Sequence, residues 1–182
     1  EEPKLKIMGI EAVRSSTPSS CRGTILETMK LIMNGTETEL IAFVDKFRQE
    51  FMLLPAEEIS FPRSVKGLDK YYDSVIRYSK GTPIHVKGSL IHNILLKEKE
   101  LSNKFMTIRN GDKIKFTYLK EPNPAKDKVI AFVNALPDEF ELDSYIDRDL
   151  QFEKAYLEPI KTVLSVVGWQ HEKQESLESF FV

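Results

Sequence analysis

Between Pro18 and Phe51 the apolar residues recur at helical spacing. Ile25, Met29, Ile32 and Met33 form one stripe, and Leu40, Val44, Phe47 and Phe51 form a second with Phe43 beside it. Ser15-Ser16-Thr17-Pro18 predicts the start of the first helix, with Thr17 as its cap and Pro18 at the first helical position, where a missing N–H does no harm. Asn34-Gly35 predicts its end, and Thr36 with Glu39 has the spacing of a capping box for the second. So short a break predicts an antiparallel helical hairpin. Residues 1–16 read as an extended lead-in with a short apolar run at Leu5, Ile7, Met8 and Ile10.

Beyond Pro55 the pattern changes. Residues 56–83, with Pro62, Gly67, Gly81 and Pro83, read as loop-rich, and 84–97 as a third helix carrying Leu90, Ile91, Ile94 and Leu95. Residues 105–119 predict a β-hairpin turning at Asn110-Gly111, with Ile114, Phe116 and Tyr118 alternating along its second strand; Val129 to Val133 is a further strand. Pro137-Asp138-Glu139 predicts a helix start with acids at the positive end of the dipole. A helical region with Tyr145, Ile146, Leu150 and Phe152 follows, broken near Pro159 and resuming through Val163, Leu164 and Val167. The expected fold is α+β and mostly helical: a helical hairpin, a third helix, a small antiparallel β element, C-terminal helices and a flexible tail. The division expected is a domain over 1–168 and a tail over 169–182.

Composition narrows the class. The 182 residues, 41% hydrophobic and 30% charged, suit one domain, or one domain and an appendage. No apolar run is long enough for a bilayer, no export signal opens the chain, and a lone Cys21 excludes an internal disulfide, so a reducing, cytoplasmic setting is expected. The opening Glu1-Glu2-Pro3 in place of Met predicts a piece of something longer. The net charge is -2, but residues 60–128 hold fifteen Lys or Arg against seven Asp or Glu, and residues 136–158 hold two against eight. Such asymmetry can offer a polyanion one basic face, or it can be two solvated surfaces.

Within the basic half, cations and aromatics interleave: Arg63, Lys66, Lys70, Tyr71, Tyr72, Arg77, Tyr78 and Lys80. Signs of catalysis are missing. His85, His92 and His171 lack metal-ligand spacing, there is no phosphate-cradling glycine loop or nucleophile elbow, and Asp147 with Asp149 read as a solvated helix face. At the chain's end, Gln174, Leu177, Phe180 and Phe181 sit at relative positions 1, 4, 7 and 8. One helical turn would set Leu177 and Phe180 on one face with Phe181 beside them and the Gln174 amide free. A docking peptide and a fold-back onto the domain's own core both fit this pattern. The spacing resembles the peptide by which DNA polymerases and repair enzymes hook onto a ring-shaped sliding clamp.

Glu2-Pro3-Lys4-Leu5-Lys6-Ile7-Met8-Gly9-Ile10-Glu11 and Arg14-Ser15-Ser16-Thr17-Pro18 resemble the start of the thumb of family B DNA polymerases from T-even-like bacteriophages. The likeness continues through Lys70-Tyr71, Pro83-Ile84-His85-Val86-Lys87-Gly88, Asp127-Lys128-Val129-Ile130-Ala131, Glu153-Lys154 and Glu158-Pro159-Ile160, and ends with the tail. It implies a thumb that grips primer–template duplex through its backbone and minor groove, joined to the rest of the polymerase (palm, fingers and exonuclease) and tethered to a sliding clamp through Gln174, Leu177, Phe180 and Phe181. The catalytic carboxylates and two divalent metal ions, Mg, belong upstream in that family, so this piece is expected to carry no catalytic residue and no cofactor. Positions matching the family's DNA contacts are Ser64, Lys70, His85, Lys87, Lys128 and Lys154. Arg63, Lys66 and Lys80 are added from charge and loop placement alone. Glu158 departs from a basic residue in the relatives and weakens the expectation around Lys154. The alternative is a non-enzymatic clamp-binding adaptor whose globular part is a spacer.

Overall fold

The computed structural model describes residues 2–173. In chain order the elements are α1 (Glu2–Ala12), α2 (Ser19–Asn34), α3 (Glu37–Phe51), α4 (Ala56–Ile59), β1 (Phe61–Ser64), α5 (Leu68–Tyr71), β2 (Tyr72–Asp73), β3 (Arg77–Tyr78), α6 (Ile84–Glu98), β4 (Lys113–Tyr118) and β5 (Val129–Phe132). Two single 3₁₀ turns, Asp138–Phe140 and Asp143–Tyr145, then lead to α7 (Arg148–Phe152), a π-helical turn (Glu153–Leu157) and α8 (Glu158–Val167). This is an α+β fold, as the periodicity predicted.

The α2–α3 pair follows its sequence pattern closely. Thr36 Oγ1 accepts the Glu39 N–H at 3.2 Å, and Leu40, Val44, Phe47 and Phe51 are all buried. Phe47, Phe51, Phe152 and Tyr156 interlock largely edge-to-face, with centroids 4.9–5.9 Å apart, and weld α3 to the C-terminal helices. Tyr156 Oη meets Thr28 Oγ1 at 2.6 Å, which ties α2 into the same core.

The sheet has the order β1-β4-β5, antiparallel throughout. All four residues of β5 are fully buried, which explains its unbroken apolar run. Ile130 and Phe132 join the large core with α2, α3 and α8, while Val129 and Ala131 join a smaller one with Val86, Leu90, Ile114 and Val65. The strand is thus packed on both faces.

Five expectations are corrected by the structure. Residues 2–12 are helical, not extended: α1 lies along α2 and α8, and Gly9 sits so close to Met29 that a Cβ there would come within 2.7 Å of its side chain. Tertiary packing overrides a weak local pattern. Thr17 does not cap α2. Its hydroxyl accepts the Arg14 N–H at 2.8 Å, and the helix begins at Ser19 with Pro18 as the flanking residue. Residues 105–109 form no strand: the Asn93 amide brackets Ile108 N and O at 2.8 and 3.0 Å, and the edge of β4 is taken by β1 from far upstream. The loop-rich stretch 56–83 does hold a series of short elements, α4 to β3. Finally, Pro137 opens only a 3₁₀ turn. The helix expected to break near Pro159 runs on from Arg148 to Val167 instead: a π turn hands over to α8, where proline near the first position needs no N–H partner.

Candidate nucleic-acid interface

The first turn of α6 is the centre of the basic region. Gly81 at φ 86° and Thr82, whose hydroxyl donates to Ser79 O at 2.6 Å, turn the chain into Pro83, after which the helix starts without a side-chain cap. Val86 and Leu90 point into the small core, and Gly88 lies on Ala131. His85 and Lys87 are left half-buried at the helix start. The His85 ring lies 6.5 Å from Phe116, and its pKa is lowered by burial and then by the positive charge of Arg63. Both effects favour the neutral ring.

Around this turn the other elements bring cations in. Arg63 and Ser64 stand exposed on edge strand β1, paired with Ile114 and Lys113. Lys87 Nζ lies 5.1 Å above the Tyr78 ring. Tyr78 donates its hydroxyl to Asp127 Oδ2 at 2.7 Å, and Asp127 Oδ1 accepts the Lys128 N–H, so Lys128 belongs to the same group. Burial and the Asp127 bond push the Tyr78 hydroxyl up to about 12, so it remains a donor. Ser79 N–H to Tyr71 O, 2.9 Å, sets Lys80 beside α5, whose Lys70 lies 5.1 Å over Tyr71. Lys66 is exposed in the turn after β1, and no described contact ties it to this group.

Lys154 joins by another route. Gln151, fully buried, accepts the Tyr118 N–H at 3.0 Å and donates to Ile59 O at 2.7 Å, which fixes the helical end against β4. Lys154, in the π turn that follows, lies 5.5 Å over Tyr118. Tyr118, Phe61 and Phe116 form a ring cluster with centroids 5.2–6.4 Å apart, which continues to His85. Lys154 also lines a cleft of about 460 Å³ with Arg14, Glu11, Phe61 and Glu158. The structure thus sets the opening block of the chain and Lys154 on one cleft, and Glu158 shares it.

Some cations are committed to the fold itself. Arg77, Lys104, Arg148 and Lys30 each pair with a carboxylate, and Lys115 is committed to Glu57 O at 2.7 Å. Among the described residues Arg63, Lys66, Lys70, Lys80, Lys87, Lys128 and Lys154 form no salt bridge. Aromatic rings lie beneath Lys70, Lys87 and Lys154 and leave their charges un-neutralised. The roles of Tyr78 and Tyr118 as platforms depend on partners far away in the chain; the interleaving of bases with aromatics was their only visible signal. Gln174, Leu177, Phe180 and Phe181 lie outside the described residues.

Among the described residues no three His, Cys, Asp or Glu side chains are grouped to hold a metal ion. Asp147 caps Leu150 N–H at 3.1 Å, and Cys21 is buried in α2 with its thiol pushed up to about 12 by desolvation. No helix among the described residues is long and apolar enough to cross a membrane.

What fold and surface define is an α+β domain carrying an unpaired cationic group backed by aromatic rings. No family model matches the chain. It is similar along its whole length to the DNA-directed DNA polymerase of Enterobacteria phage T4, with 29% identity over 184 aligned positions that cover 99% of this chain and 20% of that protein. The DNA-directed DNA polymerase of Escherichia phage RB69 is similar to the same extent, 29% over 184 positions. The chain spans about a fifth of the length of these curated relatives, and it is related to phage DNA polymerases.

Proposed function

We propose that this chain is the thumb portion of a phage-type replicative DNA polymerase. It grips primer–template duplex through phosphate and minor-groove contacts, and its C-terminal peptide hooks a ring-shaped sliding clamp. The observation that carries the DNA-binding reading is the set of cations without a salt bridge around the first turn of α6, gathered from β1, α5, the turn after β3 and the loop before β5. Lysine ammonium groups act as point charges on phosphate, and such contacts give affinity with little sequence discrimination. Neutral His85 is suited to a directed hydrogen bond. The similarity to two polymerases over nearly every residue supports the same reading.

The tail contributes through linkage. On this reading Leu177, Phe180 and Phe181 serve as a small apolar plug for the clamp, with the Gln174 amide as its polar handle. Such a plug binds modestly alone, but a ring threaded on DNA raises the effective concentration of duplex for the attached polymerase. The chemistry of nucleotide addition belongs to the remainder of that polymerase, where the divalent metal ions would sit.

Titration of labelled duplex by fluorescence anisotropy at two salt concentrations tests the reading. Affinity should fall linearly with salt on a log–log plot, with a slope of about 0.9 per phosphate contacted. Reversing charge at Lys66, Lys70 and Lys87 should weaken binding and flatten that slope. Binding indifferent to salt, or untouched by the triple reversal, would favour the adaptor with a spacer domain.

A further inference from the structure

Between β2 and β3 the chain turns through Ser74, Val75 and Ile76, with Tyr72 paired to Tyr78 and Asp73 to Arg77. At this tip two large aliphatic side chains face water: Val75 is 88% exposed and Ile76 62% exposed. The tip is rigidly based. Asp73 Oδ1 accepts the N–H groups of Val75 and Ile76 at 2.8 and 3.0 Å. Arg77, in the left-handed region at φ 75°, donates to Ala125 O at 2.8 Å and lies 3.8 Å from Asp127, to which Tyr78 also bonds. The apolar tip is therefore presented in one orientation, with little left to be ordered on binding.

Its surroundings identify the occupant. Lys70, Lys80, Lys126 and Lys128 are exposed around the hairpin; of the nearby carboxylates, Asp73 and Asp127 are taken up by the turn and by Arg77 and Tyr78, while Asp69 and Glu121 stay exposed, so the cations remain in excess. An aliphatic point within a cationic collar matches the minor groove of a duplex: phosphates for the collar, a base step for the point. Building on the duplex-binding reading above, we propose that Val75 and Ile76 are a wedge that enters the minor groove of bound DNA and parts a base step. Architectural DNA binders use aliphatic side chains in this way, kinking the duplex by about 20–90°.

The test uses the whole 182-residue chain and a duplex in which several adenines are replaced by 2-aminopurine and the ends carry a donor and an acceptor dye. Three signals are followed together: anisotropy for binding, 2-aminopurine fluorescence for unstacking, and energy transfer for bending. The wild-type chain should raise all three. A Val75→Ser, Ile76→Ser variant, altered only at exposed positions, should keep the salt slope of binding and lose the unstacking and bending signals. A Val75→Leu, Ile76→Leu variant should keep them. If the wild-type chain binds without unstacking or bending, or the serine variant retains both, the wedge is overturned and duplex binding stands. If the wild-type chain gives no anisotropy rise, the duplex reading fails, and the wedge with it.

Discussion

Replacing Gly88 by alanine tests the packing that seats the basic turn. Gly88 is buried on the face of α6 that crosses β5. A Cβ there would stand 2.9 Å from Ala131 N, 3.1 Å from Ile130 C and 3.2 Å from Ala131 Cβ. The first two atoms are strand backbone, and all four residues of β5 are fully buried, so the strand has nowhere to retreat. Inserting a methyl group into a filled core costs about 1–3 kcal/mol, while exchanging glycine for alanine inside a helix returns about 1 kcal/mol. The net expectation is a loss of up to about 2 kcal/mol, read as a lower urea midpoint at an unchanged m-value. Gly23 supplies the opposite sign. It too lies inside a helix, α2, but nothing comes within 4 Å of its added Cβ. Gly23→Ala should therefore stabilise the protein by about 0.5–1 kcal/mol. The reasoning fails if Gly88→Ala stabilises the protein, or if both substitutions shift the midpoint in the same direction.

Three further outcomes are expected. His92 is buried against Phe140, its Nδ1 donates to Ala131 O at 2.8 Å, and burial lowers its pKa to about 4. The unfolded chain then binds a proton that the folded one refuses. Stability should be whole above pH 6.5 and fall by about 3 kcal/mol as the pH drops to 4, and His92→Gln should flatten thermal stability across that window. At the Thr28–Tyr156 contact the Thr28 hydroxyl already donates to Thr24 O at 2.8 Å, so Tyr156 is the donor to Thr28. Thr28→Val strands a buried phenol donor and should cost about 1–3 kcal/mol by chemical denaturation, more than Tyr156→Phe at about 1 kcal/mol. On the proposed clamp-hook reading, Phe180→Ala with Phe181→Ala should leave the melting temperature unchanged and abolish capture by an immobilised ring clamp; a large drop in melting temperature would show instead that the two rings belong to the domain's core.

Local information was decisive where neighbours in sequence are also neighbours in space. The stripes Ile25–Met29–Ile32 and Leu40–Val44–Phe47–Phe51, the Thr36 cap and the buried run Val129 to Phe132 were all readable, because helix and strand periods lie within a few residues. The cationic residues could likewise be named from composition and resemblance. What the linear pattern could not carry was pairing over long separations. Phe61 to Ser64 form a strand only because β4, some fifty residues on, offers its edge, and α1 is a helix against α2 and α8 despite an irregular apolar pattern. The same holds for the surface. Lys154 rests on Tyr118, Lys87 on Tyr78 and His85 beside Arg63 because the folded core brings those elements together. Whether a lysine is free for a polyanion depends on which carboxylates the fold sets within about 4 Å of it, a distance governed by tertiary packing rather than by separation along the chain.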